Sequence, residues 1–298
     1  MKKLLILMGF ITITFSSQAC EICGCGVGNF YLGMMPRYNN QFIGLRYRYM
    51  SFTSTPHDDH SEYSHDTYRS MELWGGMKLG KKWQAMAFVP YQMNQRITNE
   101  KSTTSNGLGD ITLLFNYRLL NSAIAKGNQQ LWLGGGAKLP TGKYKIDFTN
   151  PENNLGDPNA QAGSGSVDFL ANINHNLSLG KWGLNTTANY KVNTTNTSNF
   201  KFGNRFTVSS LAYHRFQAKS VGITPVLGGL YENASANRFE KSEVEMTGGY
   251  ALFASSGLEL SLKKVALGFN AQLPLSQNFS MNQTQAKSRG LIHLTFTL

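Results

Sequence analysis

This chain lacks most of the features that mark a soluble enzyme. Only 15% of its 298 residues are charged, and only three are cysteine. Those three, Cys20, Cys23 and Cys25, fall within six positions, which excludes a disulfide framework spread through the fold. After the first twenty residues no run of about 18 apolar residues occurs, so no helical anchor is expected. Acidic residues are scarce too, 17 against 28 Lys and Arg, giving a formal charge of +11. The bases are scattered over turns and strand faces rather than gathered in one patch, so nucleic acid is not expected as a partner. There is no Walker loop, no dinucleotide fingerprint after a strand and no His-Glu-x-x-His. On those absences no enzyme is expected. Gly134-Gly135-Gly136 lies within a strand-like run, where it relieves crowding rather than cradling a phosphate.

What fills the space is Gly, Asn, Ser, Thr and Gln, with 12% aromatic residues. That mixture suits alternating strands with a polar interior better than a Leu-rich core. The N-terminus sets the compartment. Lys2-Lys3 is a charged start, Leu4 to Phe15 is apolar, and Ser17-Gln18-Ala19 fits a small-x-small cleavage site. Residues 1–19 are therefore expected to be a signal peptide, 20–40 a Cys-containing lead-in, and 41–298 one β-barrel domain. Loss of Lys2 and Lys3 would leave +9.

The strand signal is alternation, because successive side chains in a strand point to opposite faces. In the run from Asp110, Ile111, Leu113, Phe115, Tyr117 and Leu119 share one face, while Asp110, Thr112, Asn116 and Arg118 share the other with Leu114. That predicts an apolar outside and a wet inside. Twelve such runs are expected, at about 41–52, 67–79, 82–95, 107–120, 128–142, 164–178, 181–194, 199–215, 219–232, 243–262, 265–277 and 286–298. Each is near or above the roughly 9–11 residues that cross a bilayer as a tilted strand. Short Lys- and Gly-bearing turns alternate with long polar connections (53–66, 96–106, 143–163, 233–242, 278–285), blurred only at 121–127 and 195–198. Bacterial barrels have short periplasmic turns and longer external loops. The fold class expected is all-β, a transmembrane antiparallel up-and-down barrel of about twelve strands, with ten or fourteen as alternatives. Pro90, Pro225 and Pro274 would each remove a ladder bond, so they belong near strand ends or bulges.

Three segments carry a family resemblance. Gly107-Leu-Gly-Asp110 precedes a strand, Lys138-Leu-Pro-Thr-Gly-Lys143 follows one, and Gly163-Ser-Gly-Ser-Val-Asp168 opens the next. Together they resemble the outer-membrane family associated with meta-pathway phenol degradation. The resemblance implies a barrel in the outer membrane of a Gram-negative bacterium that passes a small solute. The N-terminal cysteine cluster departs from the general pattern.

Several constellations could carry chemistry. Cys20, Cys23 and Cys25 offer thiolates for Cu or Zn; a disulfide with one thiol left over, or lipidation of Cys20, are the alternatives. His57, His60 and His65 lie among four carboxylates in the first long loop, which suits a divalent metal or is simply a solvated loop. Arg46, Arg48, Glu72, Asp110, Arg118, Asp168 and Arg205 are expected to face the lumen, either as a selectivity-setting ladder or paired off as a plug. His293 faces inward in the last strand, whereas His175 and His214 fall on lipid-facing alternates. A rim hydrolase would need a nucleophile beside His293. The function expected is a channel for a small solute, a metal ion or a small hydrophobic compound, with the bilayer as partner. The alternative is a non-conducting barrel that binds metal or a periplasmic partner through its cysteines.

Overall fold

The computed structural model describes residues 41–55, 63–99, 101–146 and 158–298. Twelve antiparallel strands form one closed wall. They are β1 (Phe42–Ser54), β2 (Ser64–Leu79), β3 (Trp83–Thr98), β4 (Ser102–Leu108 and Ile111–Ile124), β5 (Gly127–Leu139) and β6 (Asp168–Leu179). They continue as β7 (Trp182–Val192), β8 (Arg205–His214 and Phe216–Ala218), β9 (Val221–Ala234), β10 (Gly249–Leu262), β11 (Val265–Phe279) and β12 (Thr284–Ala286 and Arg289–Thr297). The last strand closes the ring. Its residues pair with β11 from Val265↔Phe296 to Gln272↔Arg289, and with β1 from Phe42↔Thr297 to Tyr49↔Gly290. Closure removes the free edges that hydrocarbon would leave unbonded. Among the described residues no helix is long and apolar enough to cross a membrane.

The alternation fixes which face meets lipid. Along β1, Ile43 and Leu45 are exposed while Arg46 and Arg48 are buried. The pattern repeats on β6, where Phe169 and Ile173 are exposed and Asp168, Asn172 and Asn174 are buried. At the end where the short turns lie, aromatic rings line the outer face. Trp83 packs on Tyr117 at 4.8 Å, and His214 lies 4.5 Å from Trp182 and 4.2 Å from Phe216. Amphipathic rings of this kind mark the membrane–water boundary of a barrel.

The three strand prolines resolve at breaks and bulges. The carbonyl of Pro90 accepts from the N–H of Gly109 at 2.8 Å, and β4 is interrupted at that point, at Gly109–Asp110. Pro225 faces the interruption of β8, whose pairing with β9 runs to Tyr213↔Val226 and resumes at Phe216↔Ile223. Pro274 opposes Phe253, while the next pair is Leu252↔Ser276, so Leu275 is an inserted residue. A residue without an N–H is thus accommodated where the ladder is already broken.

Four sequence expectations are corrected. The connection expected as a long loop at 96–106 is mostly strand and that at 278–285 is half strand: β3 runs to Thr98 and β4 starts at Ser102, and β11 ends at Phe279 with β12 from Thr284. Their Ser, Thr and Asn residues read as loop but pair across the hairpins, as in Thr104↔Gln95. The eighth strand starts at Arg205 rather than 199, because Phe200–Lys201 joins a small ribbon with Arg238–Phe239 and Ser242–Glu243. The tenth starts at Gly249, not 243, for the same reason. Finally, the interior is not uniformly wet. Inward positions hold two apolar clusters, one around Phe52, Tyr68, Leu230 and Phe253, the other around Trp74, Phe88, Leu114 and Trp132. A period-2 pattern shows which residues share a face, but an apolar residue on the inward alternate is read as noise in it.

Candidate functional site

The interior contains a clamp built from the three short glycine-bearing segments. Asp110 sits at the break in β4, Lys138 at the end of β5, and Asp168 at the start of β6. Lys138 Nζ lies 2.7 Å from Asp110 Oδ2 and 2.7 Å from Asp168 Oδ2, and also donates to Ser164 Oγ. Backbone and hydroxyl donors hold both carboxylates as well. Gly142 N and Ser164 N donate to Asp110 at 3.0 and 2.9 Å, and Ser166 Oγ and Thr194 N donate to Asp168 at 2.8 and 3.0 Å. Charge-assisted bonds of this kind are stronger than neutral ones, and a buried ion group holds only when its remaining lone pairs are satisfied.

The clamp pins a loop inward. Residues 158–166 lie against the inner face of β3, where Asn94 donates to the carbonyls of Ala160 and Gln161 at 3.1 and 3.2 Å. Asn159, Gln161 and Ser164 are buried. The loop's two legs bind each other through Gly163 N and Lys143 O at 3.0 Å. Here the glycines are required: a Cβ on Gly142 would lie 2.7 Å from Gly163 Cα, so the legs could not pass. The connection after β7 packs on the same loop, with Asn196 donating to Ser164 O at 3.0 Å and Ser198 to Ile146 O at 2.8 Å. At this end of the barrel, then, residues 158–166 are anchored to the wall on the inner side.

Deeper in the barrel, cations are held edge-on by carboxylates and face-on by rings. Glu72 accepts from Arg46 and, at 3.1 Å, from Arg48. The Arg46 guanidinium lies 4.9 Å from the Trp74 ring and 5.6 Å from Phe88. On the neighbouring strand β12, Arg289 grips Glu232 of β9 with two bonds of 3.0 and 2.7 Å and covers the Phe253 ring at 4.0 Å. Such contacts are strongest when desolvated. The wall of β4 to β6 carries an asparagine row, including Asn172 Nδ2 to Asn116 Oδ1 at 3.1 Å. Gly134 leaves room for it, since a Cβ there would fall on both side-chain oxygens.

The sequence-derived candidates separate accordingly. Arg46, Arg48 and Glu72 form one ionic group, and Asp110 and Asp168 share Lys138. Arg205 is buried on the inward face of β8. Arg118 instead bends to the turn end, donating to Lys81 O at 2.8 Å with its guanidinium 5.5 Å from Trp132. His65 lies on β2, on the outward alternate. Cys20, Cys23, Cys25, His57 and His60 lie outside the described residues. Among the described residues no cluster of His, Cys, Asp and Glu is arranged to hold a metal. His293 has Thr295 Oγ1 at 3.2 Å and Glu259 at 3.9 Å. Sequence reasoning missed Lys138 as the shared cation, the Glu232–Arg289 pair, and Trp74 and Phe253. The signal for Arg289 was present, since it alternates in step with inward-facing His293.

Below the ionic groups the interior opens into a cavity of about 390 Å³ at the turn end, walled in part by Phe42, Trp74, Glu259 and His293.

The family model described as "Putative MetA-pathway of phenol degradation" matches residues 53–278, about three quarters of the chain. Among solved structures, the chain is similar to an outer membrane channel from Pseudomonas putida F1, with a TM-score of 0.61 at 13% identity, covering 91% of this chain and 99% of that one. It is also similar to the beta domain of the Bordetella autotransporter Brka, with a TM-score of 0.52 at 9% identity, covering 87% and 100%. At such identities the likeness is one of fold, that of outer-membrane barrels. No curated protein matches.

Proposed function

The chain belongs to the MetA-pathway of phenol degradation family, and from that premise we propose that it is a passive channel for a small apolar or aromatic solute. It is a transmembrane barrel of the Gram-negative outer membrane, and its solute passes along the inner wall. The observation that carries the reading is the chemistry of that wall. A channel for hydrophilic solutes presents water-accessible polar groups, whereas here Phe52, Phe253, Trp74, Phe88 and Trp132 point inward beside the asparagines, and Arg46, Arg48 and Arg289 are paired with Glu72 and Glu232. An apolar solute can slide past paired charges and rings without stripping water from free ions. The clamped loop sits over the long-loop mouth and sets how wide that entrance is. On this reading residues 1–19 direct export and residues 41–298 form the barrel.

The test uses vesicles with a lipopolysaccharide outer leaflet, through which apolar solutes permeate slowly unaided. Entry of benzyl alcohol and of a sugar of similar size is compared with and without the protein. The protein is expected to accelerate the aromatic solute more than the sugar. A larger acceleration of the sugar would overturn the reading.

A further inference from the structure

The turn end of the barrel carries a second, distinct feature. Five short connections lie there, at 80–82, 125–126, 180–181, 219–220 and 263–264. Every one contains Lys or Arg, and none contains Asp or Glu. The opposite end is mixed in charge, with Glu240, Glu243 and Glu245 beside Arg238 and Lys241 in a single connection. A collar of one sign around a low-dielectric opening focuses the field and concentrates ions of the other sign.

The cavity of about 390 Å³ opens into this collar. Its volume is within the range of pockets that hold one small molecule. Its inner wall carries the Phe42 and Trp74 rings, packed edge-to-face at 4.8 Å. Its outer wall carries three cations, Arg215, Lys263 and Lys264. All three side chains belong to exposed residues. Arg215 is aimed by a bond to Tyr213 OH at 3.0 Å and by stacking 4.9 Å from that ring, with a further bond to Ser178 Oγ at 3.4 Å. Among the described lining residues Glu259 is the acidic one, and it lies beside His293. The site carries the Phe42 and Trp74 rings at depth, with His293 and Glu259 beside them, and is cationic at its mouth.

We propose that this cavity is a binding site for an amphipathic organic monoanion, an apolar or aromatic body bearing one carboxylate or phenolate. The body lies against Phe42 and Trp74, and the anionic head meets Arg215, Lys263 and Lys264. The site rests on the channel reading for its route of supply, but not for its chemistry.

The experiment is calorimetric titration of the purified, folded barrel with three probes: benzoate, benzyl alcohol and inorganic phosphate. Benzoate should bind about tenfold tighter than benzyl alcohol, the gain expected of charge-assisted bonds near the surface. Phosphate, which has charge without a ring, should bind weakest. Lys263→Gln with Lys264→Gln, in an exposed turn, should reduce the benzoate preference and leave benzyl alcohol unchanged. Adding Arg215→Gln should abolish the preference. Trp74→Leu should weaken both ring-bearing probes equally. Equal affinity for benzoate and benzyl alcohol would overturn the site, as would phosphate binding as tightly as benzoate, or a preference that survives all three charge substitutions. Flux is scored separately in vesicles: a barrel that binds benzoate but passes no solute refutes the channel and leaves the site standing.

Discussion

Lys138→Met tests whether the clamp holds the loop. The substitution keeps most of the side-chain volume and removes the cation. Asp110 and Asp168, both under a tenth exposed, then lose a partner 2.7 Å away from each. Deleting one member of a buried ionic group costs about 3–5 kcal/mol, because the remaining charges stay desolvated. The structure can relieve that cost in one cheap way. The wall strands are held by continuous ladders, whereas residues 158–166 are held by side-chain bonds to Asp110, Asn94 and Asn196. Undocking the loop lets water reach both carboxylates. A loss of about 3 kcal/mol shifts the docked–undocked equilibrium by roughly a hundredfold. Single-channel recording in planar bilayers should therefore show a wider or more frequently open state for Lys138→Met, and limited proteolysis should cut within 158–166. Lys126→Met, in a turn at the far end, should change neither. If Lys138→Met conducts like the parent and resists protease equally, the clamp does not control the mouth and the reasoning fails.

Three other outcomes follow from the wall and its packing. Ile173→Arg places a cation at the middle of β6 on the lipid face and should cost about 2–4 kcal/mol, read from folding into lipid vesicles; unimpaired folding would mean that this face does not meet hydrocarbon. Gly134→Ala should lower stability by about 1–3 kcal/mol through collision with Asn116 and Asn172, whereas Gly135→Ala, whose Cβ would meet its nearest neighbour at an ordinary 3.5 Å, should be tolerated; heat-dependent gel mobility compares the two. Glu232→Gln strips the buried Arg289 of its carboxylate and should cost about 3–5 kcal/mol, while Glu243→Gln, in an exposed pair with Arg238, should cost under about 1 kcal/mol. Similar melting losses for both would show that burial does not amplify these pairs.

The barrel was legible in the chain because its determinant is local. A strand in a membrane wall must alternate, and Ile43, Leu45, Phe169 and Ile173 declare the lipid face without reference to any partner. Strand number followed from the turns, and the three prolines followed from the missing N–H, which needs a break wherever it falls. The breaks themselves could not be placed from sequence, because each depends on what lies opposite: Gly109 across from Pro90, the β8 interruption across from Pro225.

The site was legible only in part. The segments containing Asp110, Lys138 and Asp168 stood out as glycine-bearing motifs, yet nothing local says that two carboxylates separated by 58 positions share one ammonium. The lumen charges were assigned to a face, but whether they line a pore or pair off depends on distances across the barrel, and those are set by closure. The aromatic interior was the largest miss, since Trp74 and Phe253 look like ordinary strand apolar residues until the ring brings them together.

By itself, then, the sequence determined what each residue's immediate neighbours dictate: an alternating, closed, membrane-spanning wall with short basic turns at one end. The tertiary structure decided which inward side chains meet. That is a matter of shear and register around the whole ring, and a change of two residues in register would keep every face assignment while moving Lys138 away from both of its carboxylates.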